Sequence, residues 1–133
     1  MALNIDLKPH ERIIIANVSV RNGDRRARLI FETEAKFLRE KDMLPASKAS
    51  TACEHLYIIL QVIYFTDNNV ELEEKFVSLS NEIMKASPST SSYIAEIYTQ
   101  FTSGEYYTAL KAGQKLMRYE KELHERLASP VTE

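Results

Sequence analysis

Glycine is scarce in this chain of 133 residues, and the three present, Gly23, Gly104 and Gly113, lie far apart. A loop that cradles phosphate needs clustered glycines so that the backbone can approach the ligand. A Walker A loop and a dinucleotide fingerprint are therefore excluded. The single cysteine, Cys53, cannot close an internal disulfide, which suits a reducing compartment. His10, His55 and His124 fall into no H-E-x-x-H spacing, and there is no Cys-x-x-Cys pair. No metal site and no cofactor is expected from such spacings. An excess of one charge is also lacking: 17 Lys+Arg stand against 19 Asp+Glu, a formal net charge of -2. Any affinity for a polyanion must then come from local patches. The most apolar run, Leu56 to Phe65, is broken by Gln61 and is too short to span a bilayer. The N-terminus has no signal-peptide pattern. The expectation is a cytoplasmic protein without membrane association.

What is present divides at Pro45. Leu3, Ile5 and Leu7 alternate with Asn4, Asp6 and Lys8, the period of a strand. Arg12–Ile15, Val18–Val20, Leu29–Phe31 and Ala35–Leu38 read as four more short strands. Asn22-Gly23-Asp24 predicts a tight hairpin turn, since Asn-Gly readily adopts positive φ. A sheet this small is marginal alone and needs a helical layer or a second copy of itself.

Beyond Pro45 the periodicity is helical. A first helix is expected from Ser50 or Thr51 to about Phe65, apolar nearly all round and hence central. Asp67-Asn68-Asn69 stops it and caps a second helix with Leu72, Phe76, Leu79 and Ile83 on one face. Ser87-Pro88 starts a third, with Ile94, Ile97, Tyr98 and Phe101 as its buried stripe, and Gly104 ends it. A fourth runs from Glu105 to about Ala128, with Leu110, Leu116, Tyr119, Leu123 and Leu127 inward, and Gly113 loosens it or admits a close neighbour. The fold class is α+β: a small antiparallel five-stranded N-terminal sheet (residues 1–45) followed by a three- to four-helix bundle (46–133).

No catalytic constellation emerges. Cys53 sits on an apolar stripe with His55 on another helical face, so it lacks the base that a nucleophilic thiol needs. Glu73-Glu74 and Glu120/Glu122 read as solvated helix surface. The protein is not expected to be an enzyme.

The charges are more informative once divided. Up to Pro45 there are nine basic and seven acidic residues; beyond it, eight basic and twelve acidic, so the net -2 is +2 on the sheet and -4 on the helices. Six of the nine bases are arginine, whose planar fork suits phosphate and guanine edges. Arg21, Arg25, Arg26 and Arg28 crowd the Asn22-Gly23-Asp24 turn. Such a tip can clamp RNA phosphates; the same charge also guards a sheet edge against aggregation. The aromatics add nothing to the RNA case: Phe31 and Phe37 alone lie on the sheet, and all seven tyrosines fall in the helical part. Tyr106 and Tyr107, adjacent on a helix, cannot both face one core.

The run LKPHERIIIANVSVRNGDRRARLIFETEAKFLREKDML (Leu7 to Leu44) closely resembles the FlbT family of flagellar regulators, and HLYIILQ and GEYYTALKAGQKLMRYEKEL extend the likeness over about the whole chain. His10 stands where that family often has glycine, which bears on turn geometry. The resemblance implies post-transcriptional control of flagellin synthesis through the 5′ untranslated region of flagellin messenger RNA, commonly promoting its decay as a repressor. It also implies FlaF as a partner in the same circuit; some members look like activators. Glu11–Ile15 and Ala35–Lys41 are further similar to the carbon-storage regulator CsrA, a five-stranded RNA-binding dimer. Arg39-Glu40 matches that family's fifth-strand arginine-glutamate pair, whose arginine contacts RNA. On the first strand only Lys8 is basic here, a departure from that family.

The leading reading is a non-enzymatic regulator that binds the flagellin mRNA leader. Arg39 is its first candidate, with Arg21, Arg25, Arg26 and Arg28 on phosphates and Lys8, Arg12 and Lys41 as lesser contacts. The rival is a protein-interaction adaptor or chaperone whose acidic helical part binds a FlaF-like or flagellin partner, with indirect effects on mRNA. A homodimer sealing the sheet edges suits either.

Overall fold

The computed structural model describes residues 3–67 and 69–128. The chain divides into two compact units between Met43 and Leu44. The first is all strand and turn, the second helical, so the α+β architecture stands.

In the first unit the five strands are β1 (Leu3–Leu7), β2 (Arg12–Ile15), β3 (Val18–Arg21), β4 (Ala27–Phe31) and β5 (Phe37–Arg39). They form two antiparallel sheets rather than one, a pair β1-β4 and a triplet β3-β2-β5. Alternation sends Ile5, Leu7, Leu29 and Phe31 to one side of the pair, and Ile13, Ile15, Val20 and Phe37 to one side of the triplet. These eight residues close a common apolar core. Phe31 and Phe37 meet edge to face at 5.3 Å. Both are thereby engaged in packing.

The tight hairpin lies elsewhere than expected. Ile15 pairs with Val18 across a two-residue loop, in which Ala16 takes a φ of 54°. Asn22-Gly23-Asp24 joins strands that are not partners: β3 pairs with β2, and β4 with β1. Gly23 has no positive φ. The dipeptide is read wrongly from sequence because Asn22 does different chemistry. Its side-chain amide donates to the carbonyls of Lys8 and Arg25, each at 2.8 Å. The connection is thus pinned to the β1–β2 turn. In that turn His10 holds a φ of 64°, a conformation that suits glycine.

In the second unit, α1 (Ala52–Thr66) opens on a full capping box between Thr51 and Glu54. α2 (Val70–Ala86) is capped by Asn69, which accepts from the Leu72 amide; Asn68 of the expected stop signal lies outside the described residues. Pro88 starts a short 3-10 turn, Pro88–Thr90, before α3 (Ser91–Thr102), and the Ser87 side chain makes no capping bond there. Gly104 ends α3 with a φ of 81°, and α4 (Tyr106–Ala128) completes the bundle. α4 packs on α1 and α3, and α1 on α2. Phe76 of α2 closes the ring by meeting Phe101 of α3 at 4.7 Å.

Two inward assignments fail. Tyr98 is 39% exposed and Leu127 85% exposed. Tyr98 still covers Phe101 from the rim. Leu127 lies in the last turn of α4. Glu120, expected on a solvated face, instead accepts from the Thr51 hydroxyl at 2.5 Å and the Cys53 amide at 3.3 Å. Its charge suits the positive end of α1.

Candidate nucleic-acid interface

The eight cations named from the sequence do not form one surface. Four of them, Lys8, Arg26, Arg28 and Arg39, line an open concavity of about 640 Å³ in the N-terminal unit, together with Asp6. Their positions follow from strand register. Leu7 pairs with Ala27 at the end of the β1-β4 ladder, so Lys8 and Arg26 flank its last rung. One rung back, Asp6 lies opposite Arg28. Arg39 comes from β5, opposite Ile13, and so sits at the rim of the core-facing side of the triplet.

Each cation has its own electrostatic setting. Arg28 Nε donates to Asp6 Oδ1 at 2.9 Å. That bond, with the guanidinium charge, holds the Asp6 carboxyl below its ordinary range and raises the Arg28 pKa in return. Both side chains stay largely solvated, so the pair itself adds little stability. Arg39 is held more firmly. Its Nη2 donates to the Asp6 carbonyl at 2.7 Å and to Glu11 Oε2 at 3.1 Å, with side-chain exposures of 31% for Arg39 and 15% for Glu11. Its Nε is buried and has no hydrogen-bond partner among the described residues. Glu11 Oε1 accepts from the Lys8 amide at 2.8 Å. That bond first, then Arg39, keeps the Glu11 carboxyl ionised to lower pH than usual. Lys8 and Arg26 are exposed and form no ion pair among the described residues.

The remaining four lie apart. Arg12 and Arg21 face each other across β2 and β3, like charges in direct register on the side away from Ile13 and Val20. Such a pairing is unfavourable until an anion or solvent screens it. Arg25 is exposed on the connection, its carbonyl held by Asn22. Lys41 is exposed in the 3-10 turn Glu40–Asp42.

Sequence reasoning missed Asp6, Glu11 and Asn22. Their roles depend on which strands pair, and β1 pairs with β4 across the intervening residues 8–26. A correct register would have placed Asp6 against Arg28; nothing local does so.

The helical unit holds a second cavity, of about 430 Å³, lined chiefly by Leu79, Ile83, Leu123 and Leu127 with Glu120 at its wall. Cys53 lies there too. Burial, followed by the Glu120 charge, pushes its thiol pKa up, which suppresses the thiolate that a nucleophile requires. Among the described residues no three His, Cys, Asp or Glu side chains are grouped to hold a metal. No described helix is long and apolar enough to cross a membrane.

Comparison with known proteins gives a consistent answer. The family model described as flagellar protein FlbT matches residues 3–124. The probable flagellum biosynthesis repressor protein FlbT 1 of Bradyrhizobium diazoefficiens is 37% identical over 124 residues, covering 92% of this chain and 85% of that one. The probable flagellum biosynthesis repressor FlbT of Rhodopseudomonas palustris is 32% identical over 126 residues, 95% and 100% of the two chains. The flagellum biosynthesis repressor FlbT of Caulobacter vibrioides is 32% identical over 135 residues, 99% and 96% of the two. No solved structure matches. The chain, from its first strand into the last turns of α4, belongs to the FlbT family of flagellar proteins.

Proposed function

We propose that this protein regulates flagellin synthesis after transcription by binding the 5′ untranslated region of flagellin messenger RNA through its N-terminal unit. Membership in a family whose curated members are named flagellum biosynthesis repressors supports a regulatory role in flagellar synthesis. The observation that carries the RNA reading is the convergence of Lys8, Arg26, Arg28 and Arg39 on one concavity. Phosphate oxygens are met well by arginine forks, and an open cleft of this kind can track a strand. Arg12, Arg21, Arg25 and Lys41 lie apart from it and add positive charge to the same unit. Repression or decay then follows from an occluded leader or a recruited nuclease.

The test is direct. Full-length protein is titrated into a labelled flagellin leader and into an unrelated leader of equal length, over a range of salt. Binding that is tighter on the flagellin leader and weakens steeply with salt supports the reading. No binding to either at moderate salt removes it.

A second reading rests on the helical cavity, where Leu127 stands 85% exposed beside Leu123. There the protein acts as an adaptor or chaperone for a FlaF-like or flagellin partner. Leu127→Asp in the full chain abolishes partner capture on this reading and leaves leader binding unchanged. Both functions can reside in one chain, and a homodimer sealing the open sheet edges suits either.

A further inference from the structure

The outward face of the β1-β4 pair carries an ordered ladder. Asn4 lies opposite Ile30, Asp6 opposite Arg28, and Lys8 and Arg26 flank the next rung. All six are exposed or line the open concavity, and Ile30 is 60% exposed, a large apolar side chain in water. The cations explain attraction for phosphate. The carboxylate does not: it opposes phosphate in the very concavity the cations line. Its exposed cross-strand pair with Arg28 contributes too little stability to account for its place. The Asp6 main chain is moreover clamped: its carbonyl accepts from Arg39 Nη2 at 2.7 Å. A carboxylate so positioned is an acceptor set at a fixed height in the cleft.

We infer that Asp6, with Arg28 opposite it and Ile30 on the adjacent rung of the same face, reads an unpaired guanine whose phosphate lies at Lys8 and Arg26. The inference rests on the RNA reading above and deepens it. Guanine alone among the RNA bases presents two adjacent donors, N1–H and N2–H, on its Watson–Crick edge, and a carboxylate accepts both at once. On the other edge it presents O6 and N7, acceptors that match an arginine fork. Adenine and cytosine offer one exocyclic amine next to an acceptor, and uracil one imide N–H between two carbonyls. Each would leave a carbonyl or ring lone pair facing the Asp6 charge. Single-stranded RNA is read in this way, by edges of splayed bases laid on a side-chain platform. Here the platform is aliphatic, since Phe31 and Phe37 are committed to the core. The hydrogen bond and charge of Arg28 hold the Asp6 carboxyl below its ordinary range, which favours the acceptor form.

The experiment uses full-length protein and three fluorescein-labelled single-stranded oligoribonucleotides: oligouridine, the same strand with one central guanosine, and the same strand with inosine at that position. Inosine keeps N1–H, O6 and N7 but lacks the N2 amine. Wild-type protein is expected to bind the guanosine strand about tenfold more tightly than oligouridine, with most of that gain lost on inosine. Asp6→Asn is expected to bind all three about equally, and to hold oligouridine more tightly than wild type because a negative charge has gone. Its thermal midpoint serves as the folding control, and the inosine comparison needs no variant. Equal wild-type affinity for guanosine and uridine strands overturns the guanine inference and leaves the RNA reading standing. So does a guanosine preference that survives in Asp6→Asn. Failure of wild type to bind any strand at moderate salt overturns both.

Discussion

Arg39 and Glu11 meet at 3.1 Å across the rim of the sheet core, and between them they fasten three segments. Arg39 brings β5 to the Asp6 carbonyl of β1, while Glu11 also closes the Lys8 turn. The arginine that the CsrA-like resemblance offers as an RNA contact is thus also a brace. Arg39→Ala is expected to lower stability by about 1–3 kcal/mol, the worth of a hydrogen-bonded charge left without its partner. Denaturant unfolding measures this. Glu11→Gln separates brace from charge, since it keeps the Arg39 cation and the side-chain shape.

Acid should act through the same contact. The folded-state pKa of Glu11 lies below its ordinary value of 4.5, so the stabilisation is complete above 4.5 and is lost as pH falls through the depressed value. Unfolding followed from pH 6 to pH 2 should show a steeper loss in wild type than in Glu11→Gln. Parallel curves would argue against the contact.

Lys8 and Arg26 test charge without structure. Both are exposed and unpaired among the described residues. Lys8→Ala and Arg26→Ala are expected to change stability by less than about 0.5 kcal/mol. Each should flatten the salt dependence of RNA binding by about one unit of the log–log slope and weaken binding alike on cognate and unrelated strands. Anisotropy titrations at several salt concentrations read both quantities.

Asn22 tests structure without charge. Its amide ties Lys8 to Arg25 through two bonds of 2.8 Å. Asn22→Ala should cost about 1–2 kcal/mol and weaken RNA binding, although no cation is removed, because Lys8 loses its tie to Arg25, the residue next to Arg26. Unchanged binding would show that the connection does not set the cleft.

Gly113 is a close-approach position inside α4. A Cβ built there would lie 2.9 Å from Leu60 Cδ1 and 3.1 Å from Tyr57 Cδ1, and both neighbours are fully packed. Gly113→Ala gains about 1 kcal/mol of helix preference but overpacks the α1–α4 contact by about 1–3 kcal/mol. The net expectation is a loss of about 1 kcal/mol in thermal or denaturant unfolding, against the helix-propensity trend.

Cys53 should resist alkylation. It is 2% exposed and its thiol pKa is raised by burial. Iodoacetamide at pH 8 should modify it only on the timescale of unfolding, and at once in denaturant. Rapid labelling of native protein would mean that the helical cavity opens.

What could be read before the structure was known is what short-range physics dictates. Period-two alternation marks the strand at Leu3–Leu7 and a β-branched run the one at Arg12–Ile15, while capping residues at Ser50 or Thr51 and at Asp67-Asn68-Asn69 mark the helix starts. Each depends on residues within a turn of one another. The charge division at Pro45 is likewise a property of composition alone. Only the tertiary structure decided that five strands make two sheets, because pairing β1 with β4 instead of β3 with β4 is settled by which apolar faces can close one core. That choice moved Asn22 from a turn residue to a brace and sorted eight cations into a cleft of four and a scattered remainder. It also set Asp6 against Arg28. A register joins residues far apart in the chain, and its energy comes from burying Ile5, Leu7 and Ile13 together, which no local pattern encodes.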